Sequence, residues 1–162
     1  MVRSGSVTAV AGVGLAGDRY ALGGGTWAAY PQQEKQVTLV DADEVSAVAA
    51  ELGVALTPGA TRRNVVTAGI ALPALVGRYV AVGGVLLFVT KRCPPCVHLE
   101  RLTGVRLVKA LAARGGVNAA VFVGGTVREG DAVRPVSDAE AADRGAPVGP
   151  DRPVPRVVAL PD

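Results

Sequence analysis

Both cysteines of this chain lie in one tetrapeptide, Cys93-Pro94-Pro95-Cys96, after the basic pair Lys91-Arg92 and just ahead of the sole histidine, His98. Any chemistry that needs sulfur or a soft metal must use this segment. A C-x-x-C of this kind serves as a redox dithiol, as half of a zinc site, or as one reactive thiol beside a bystander. Two prolines and a following helix would lower a thiol pKa and suit the redox role. Against it, a thioredoxin-like motif belongs early in a βαβ unit, whereas this one follows a predicted hairpin late in the chain. Structural zinc takes four ligands. Cys93, Cys96 and His98 offer three, Glu100 would be a cramped fourth, and there is no second C-x-x-C. Free cysteine is also common in ordinary cores, so simple packing of one or both thiols is the competing reading.

Anion binding has its own candidates. The net charge is +3, and the positive side chains are overwhelmingly arginine. Arg19, Arg62, Arg63 and Arg92 sit beside predicted turns, where a planar guanidinium suits bidentate capture of phosphate or carboxylate. Gly17-Asp18-Arg19-Tyr20 either forms an ordinary turn, with Asp18 bonding its own backbone, or aims a carboxylate and a guanidinium at a ligand. Arg62-Arg63-Asn64 is either a solvated loop or a set of cations beside an amide that both donates and accepts. No dense basic run or aromatic-interleaved patch points to nucleic acid. A small anionic ligand is the better match.

These residues need elements to hold them. Residues 6–13 read as an opening strand and 14–25 as a glycine-rich loop. Residues 36–40 alternate polar and apolar, so they predict a strand. Asp41 or Asp43 caps a helix over 44–52, whose Val45, Val48, Ala49 and Leu52 recur at helical spacing, and Gly53 ends it. A turn at 57–61 leads through the arginines into a strand at 65–67, and 72–75 predicts one helical turn. Strands at 78–82 and 85–90 flank Gly83-Gly84, a hairpin signature. Short helices come after the thiols at 98–102 and 105–113. Strands at 118–123 and 126–128 flank Gly124-Gly125, and a last strand covers 132–134. This is a mainly β chain with helical inserts, expected to close as a β-barrel. Strands do not alternate with long helices, which disfavours a doubly wound sheet.

At 162 residues, with 49% apolar and 4% aromatic side chains, the chain suits one domain with a core of Val, Leu and Ala. Residues 1–136 are expected to form it. From Pro135 the composition shifts to Pro, Asp, Ala and Arg, so 137–162 is expected to be a flexible or loosely docked tail. No apolar stretch approaches the roughly 20 residues of a membrane helix, and Met1 to Gly5 lack a secretory h-region. With two cysteines and no disulfide framework, a cytoplasmic location is expected.

Taken in order, Gly14-Leu15-Ala16-Gly17-Asp18-Arg19-Tyr20, Gln36-Val37-Thr38-Leu39-Val40, Arg62-Arg63-Asn64-Val65-Val66, Val76-Gly77-Arg78, Val82-Gly83, Cys93-Pro94-Pro95-Cys96 and Gly125-Thr126-Val127-Arg128-Glu129-Gly130-Asp131-Ala132-Val133 resemble the MOSC domain, named for the C-terminal domain of molybdenum cofactor sulfurase. The resemblance covers about residues 7–136. It implies a MOSC-type β-barrel and a role with molybdenum cofactor (molybdopterin) or sulfur. The family's characteristic cysteine maps onto Cys96, which binds molybdenum in amidoxime-reducing members; sulfurases receive activated sulfur in this domain. The family's Arg-x-Asn motif maps onto Arg62 and Asn64, which would hold the pterin and its phosphate. Asp18, Arg19, Arg63 and Arg92 are the further candidates for that anionic cofactor, and Lys91 and Arg92 are expected to favour the thiolate.

Three functions are in contention. The first is a cofactor-binding or sulfur-carrying protein, with an electron or sulfur donor protein as partner and no nucleic acid or membrane. As an enzyme it would be a molybdenum-dependent oxidoreductase reducing N-hydroxylated compounds, or a sulfur-transfer component. The second is a non-enzymatic anion-binding barrel with structural thiols. The third is a dithiol oxidoreductase. The amidoxime-reducing relatives' N-terminal barrel and the sulfurases' desulfurase domain, with its pyridoxal phosphate lysine, are not expected in this chain. Pyridoxal phosphate is thus a family-level label only. Tyr20 stands where the family often has histidine.

Overall fold

The protein is described by a computed structural model covering residues 4–24 and 34–150. The outer parts of the N-terminal segment, the later part of the glycine-rich loop and residues 151–162, including the apolar run at 157–160, lie outside the described residues. Nine strands and four α-helices form among them, with two single 3-10 turns at Pro58–Thr61 and Leu72–Leu75.

The main sheet has six strands: β3 (Val37–Asp41), β4 (Val65–Thr67), β5 (Tyr79–Val82), β6 (Val85–Arg92), β7 (Val117–Val123) and β9 (Val133–Val136), in the order β4-β3-β7-β6-β5-β9. β3 and β4 run parallel and the other pairs antiparallel. A second sheet joins β1 (Ser6–Val10) to β2 (Gly14–Leu15) and to β8 (Gly125–Arg128), with β1 in the middle. The curled main sheet is a half-barrel, the MOSC-type β architecture expected. Gly83-Gly84 does turn the β5–β6 hairpin. Gly124-Gly125 does not turn another: there the chain leaves the main sheet and β8 pairs with β1.

Period-two alternation between two buried faces explains why the central strands are apolar throughout. Val37, Leu39, Val80, Val82, Leu87, Val89, Val117 and Val121 point into the barrel with Leu15, Leu72 and Leu75. Val40 points the other way, where it packs with α1 (Ala42–Leu52), α2 (Val97–Thr103) and α3 (Leu107–Ala110) through Val45, Val48, Leu56, Leu99, Leu107 and Leu111. Asp41 caps α1, its carboxylate accepting from the Asp43 N–H, and Gly53 closes the helix in the left-handed region. At the far edge, Tyr79, Phe88 and Phe122 pack in tilted and edge-on contacts beside Leu86, Ala141 and Ala146.

Residues 137–150, expected to be flexible or loosely docked, carry α4 (Asp138–Asp143), which covers those aromatics with a fully buried Ala141. The Tyr79 hydroxyl donates to the Pro147 carbonyl. No helix among the described residues is long and apolar enough to cross a membrane.

Candidate functional site

The thiol segment hangs from the end of β6. Across β6 and β7, Val89 faces Ala119 but Lys91 faces Asn118, so Thr90 is a bulge residue. Such a bulge bends a strand and re-aims the residues beyond it. The Thr90 hydroxyl has the Glu34 carbonyl at 2.6 Å and the Asn118 carbonyl at 3.1 Å as acceptors for its one proton, and the Asn118 amide donates to the Arg92 carbonyl at 3.2 Å. The Cys93 N–H then donates to the Gly116 carbonyl at 2.8 Å. Gly115 and Gly116 make this crossing possible: a Cβ on Gly116 would stand 2.0 Å from the Leu39 carbonyl oxygen, and one on Gly115 2.9 Å from the Cys93 carbonyl oxygen.

Arg63 locks the segment from the other side. Its Nη2 donates to the carbonyls of Cys93 at 2.7 Å and Pro94 at 3.2 Å, and its Nε to Gly115 at 3.0 Å. A planar fork reaching three fixed carbonyls is an arginine arrangement that lysine cannot copy. Cys93 is therefore an anchor. Burial pushes its thiol pKa up, against the opposing pull of the Arg63 charge and a hydrogen bond from Asn118.

Cys96 has a different environment. It is the residue before α2, half-buried, with its side chain against the cluster of Val40, Leu56, Leu99 and Leu107. No turn or bend interrupts residues 93–96, and both cysteines are free thiols. A thioredoxin-like arrangement, with the first cysteine opening a helix, is not what forms. Glu100 is also committed, its carboxylate accepting from the Val108 N–H at 2.7 Å. His98 is exposed on α2, and no group of three or more His, Cys, Asp or Glu able to hold a metal ion occurs among the described residues.

Arg62 comes after the 3-10 turn Pro58–Thr61 with φ 58° and ψ 32°, the one non-glycine residue at positive φ among those described. This conformation costs an L-residue about 1–2 kcal/mol. Its Nε is buried with no hydrogen-bond partner. The side chain lines a cavity of about 330 Å³ with Leu56, Ala60, Leu102, Thr103 and Val105. Leu56, Ala60 and Val105 belong to the cluster that Cys96 also packs against, while Cys96 itself is not among the residues that line the cavity.

Asn64 is the hub of a separate network. Its Oδ1 accepts from the Thr38 N–H at 3.0 Å and the Thr38 hydroxyl at 2.7 Å, and its Nδ2 donates to Asp18 Oδ2 at 3.0 Å. The other Asp18 oxygen accepts from the Tyr20 N–H at 2.9 Å, so Asp18 forms the ordinary turn and a long-range bond together. Arg19 has its guanidinium over the Tyr20 ring. Arg92 is exposed at the end of β6, and Lys91 is paired with Glu34. Thus Asp18 joins Asn64, and Arg63 joins the thiol segment. Thr38, Asn118 and Gly115 are working parts that residue types alone did not single out.

The MOSC domain model matches residues 16–134. The chain belongs to the MOSC domain family. As a MOSC domain it shares a family associated with molybdenum-cofactor-related function. YiiM from Escherichia coli superposes with a TM-score of 0.66 at 17% identity, over 91% of this chain and 74% of that one. The YuaD protein of Bacillus subtilis gives 0.64 at 18% identity, covering 80% and 84%. YiiM from Geobacillus stearothermophilus gives 0.60 at 20% identity, over 65% of this MOSC chain but only 56% of its own length. These likenesses show a shared fold. A search of curated proteins finds no match. Nothing in the fold or the family match supports pyridoxal phosphate.

The donor set of the MOSC site suits some groups and not others. A bare metal ion finds no ligand cluster among the described residues. A group that brings its own metal and carries an anionic part needs one soft thiolate and one unpaired guanidinium. Among the described residues, Cys96 offers a half-buried free thiol and Arg62 a guanidinium whose buried Nε has no partner.

Proposed function

We propose that this MOSC domain binds molybdenum cofactor, with the Cys96 thiolate as the protein's ligand and Arg62 receiving an anionic part of the cofactor. The observation that carries the reading is Arg62: a costly backbone conformation and a buried, unpaired N–H, in a cavity lined by members of the cluster that Cys96 packs against. Strain and unsatisfied donors persist where a function uses them. The family's association supplies the chemical class of the anion.

The other residues act as supports. Arg63 fixes the backbone carbonyls ahead of Cys96, and the Asp18–Asn64 bond ties the 17–20 loop to the entrance of β4. Cys93 is tied into the anchor by its carbonyl bond from Arg63, and burial raises its thiol pKa, so the reading places the ligand role on Cys96. When bound, the cofactor would supply a redox metal centre suited to reducing N-hydroxylated compounds with electrons from an external donor protein. A sulfur-carrier role would use the same thiol without the metal.

Elemental analysis after expression in a cofactor-producing host tests this. Molybdenum near about one equivalent is expected, absent in Cys96→Ser and lowered about tenfold or more in Arg62→Ala. A metal-free protein with a persulfide on Cys96 by mass spectrometry would assign the carrier role. A metal-free protein without persulfide, its anion binding unchanged in Cys96→Ser, would leave an anion-binding barrel with structural thiols.

A further inference from the structure

The charge of this chain is unevenly placed. Residues 91–114 hold six Lys or Arg and one Asp or Glu, a charge of +5 in a chain whose total is +3, so the remainder is net acidic. Lys91 is paired with Glu34, and Arg114 with Glu51. Glu100, the one carboxylate of the segment, is committed to the Val108 N–H. Arg92, Arg101, Arg106 and Lys109 remain exposed, without an ionic partner among the described residues. The same corner exposes apolar side chains: Val97 is 55% exposed, Leu102 51% and Val108 37%. On α2, Val97 and Arg101 share one face by their i, i+4 spacing, and His98 and Leu102 lie beside them.

We propose that the α2–α3 corner is a docking surface for an acidic protein partner. Uncompensated cations around modest apolar contacts match a negatively charged protein face, and long-range attraction would steer its approach. The surface is preorganised. Leu99, Leu107 and Leu111 bury the inner sides of both helices, and the Glu100 bond to Val108 fixes the corner between them. It is also adjacent to Cys96, which immediately precedes α2. A single-stranded nucleic acid gains from stacking aromatics, and a membrane surface from Trp or Phe anchors. Tyr79, Phe88 and Phe122 are instead packed together on the far edge of the sheet. The inference rests on charge and exposure alone, so its failure would leave the Cys96 reading standing.

The test is an NMR titration of the isotopically labelled protein with an acidic Glu/Leu peptide, an anionic phosphatidylserine vesicle and a duplex DNA oligomer. Amide shifts confined to residues 97–109 with the peptide, weakened about tenfold or more by raised salt and by R101E/R106E/K109E, are expected. Folding of the triple variant is checked by its unchanged core resonances, and R101Q/K109Q should show an intermediate loss. Shifts elsewhere, none at all, or equal or tighter binding of vesicles or DNA would overturn the proposal.

Discussion

Arg62 and Arg63 are adjacent, yet they do opposite work. Arg63 is fully engaged with three carbonyls, whereas Arg62 sustains conformational strain with a buried N–H left unpaired. Arg63→Ala should lower stability by about 1–3 kcal/mol in urea denaturation, and Arg63→Lys should not restore it, because the fork is lost. Arg62→Gly should raise stability by about 1 kcal/mol while abolishing anion binding in calorimetry. A stability loss there would show that Arg62 supports the fold instead. The half-buried Cys93 thiol, its pKa raised by desolvation, gives a pH signature. Its folded pKa lies above the unfolded one, so the associated stability is full below the ordinary thiol value and lost as pH rises through that value to the raised one. The alkaline fall should vanish in Cys93→Ala, and wild-type Cys93 should lag in iodoacetamide labelling at neutral pH, read by peptide mapping. Residue types alone identified both arginines and both thiols, but not their division of labour. That division depends on which carbonyls the fold brings within reach of Arg63.

At the scale of elements, the site hangs on a crossing. The 93–96 segment passes Gly115-Gly116, and Gly116 passes over β3 so closely that any side chain would strike the Leu39 carbonyl. Gly116→Ala should therefore lower the melting temperature by about 4–8 °C or more and accelerate Cys93 labelling, since one clash displaces both. Unchanged melting would mean the crossing has slack. Much of this layer was legible. Alternation marked β3, Gly83-Gly84 marked the hairpin, Gly53 marked the end of α1, and of the two cap candidates Asp41 and Asp43 it is Asp41 that opens the helix. The Thr38–Asn64 pairing was not, because it arises only when β3 and β4 lie parallel, bringing together residues 26 positions apart in sequence. Nor was α4, which buries a single residue in the middle of its span and so shows no apolar period. Its local signal was Ser137-Asp138-Ala139-Glu140, a capping-box spacing, and the Ser137 hydroxyl does accept from the Glu140 N–H.

For the molecule as a whole, α4 closes the outer face of a sheet whose inner face is already buried. Ala141→Asp should cost about 2–4 kcal/mol in chemical denaturation and expose the Tyr79–Phe88–Phe122 cluster to a hydrophobic dye. The same variant should leave molybdenum content unaltered while the protein is folded, because the thiol wall lies on α1, α2 and α3. The second sheet has a different consequence. Ser6 stands opposite Arg128 and Ala9 opposite Gly125, so β1 meets β8 only after most of the matched domain has been made. At about 5–20 residues per second, roughly 6–25 seconds of synthesis separate the two. Throughout that interval β1 has only the short β2 beside it, its other edge is open on the nascent chain, and that exposure is timed by the ribosome before the stability of the finished sheet can protect it.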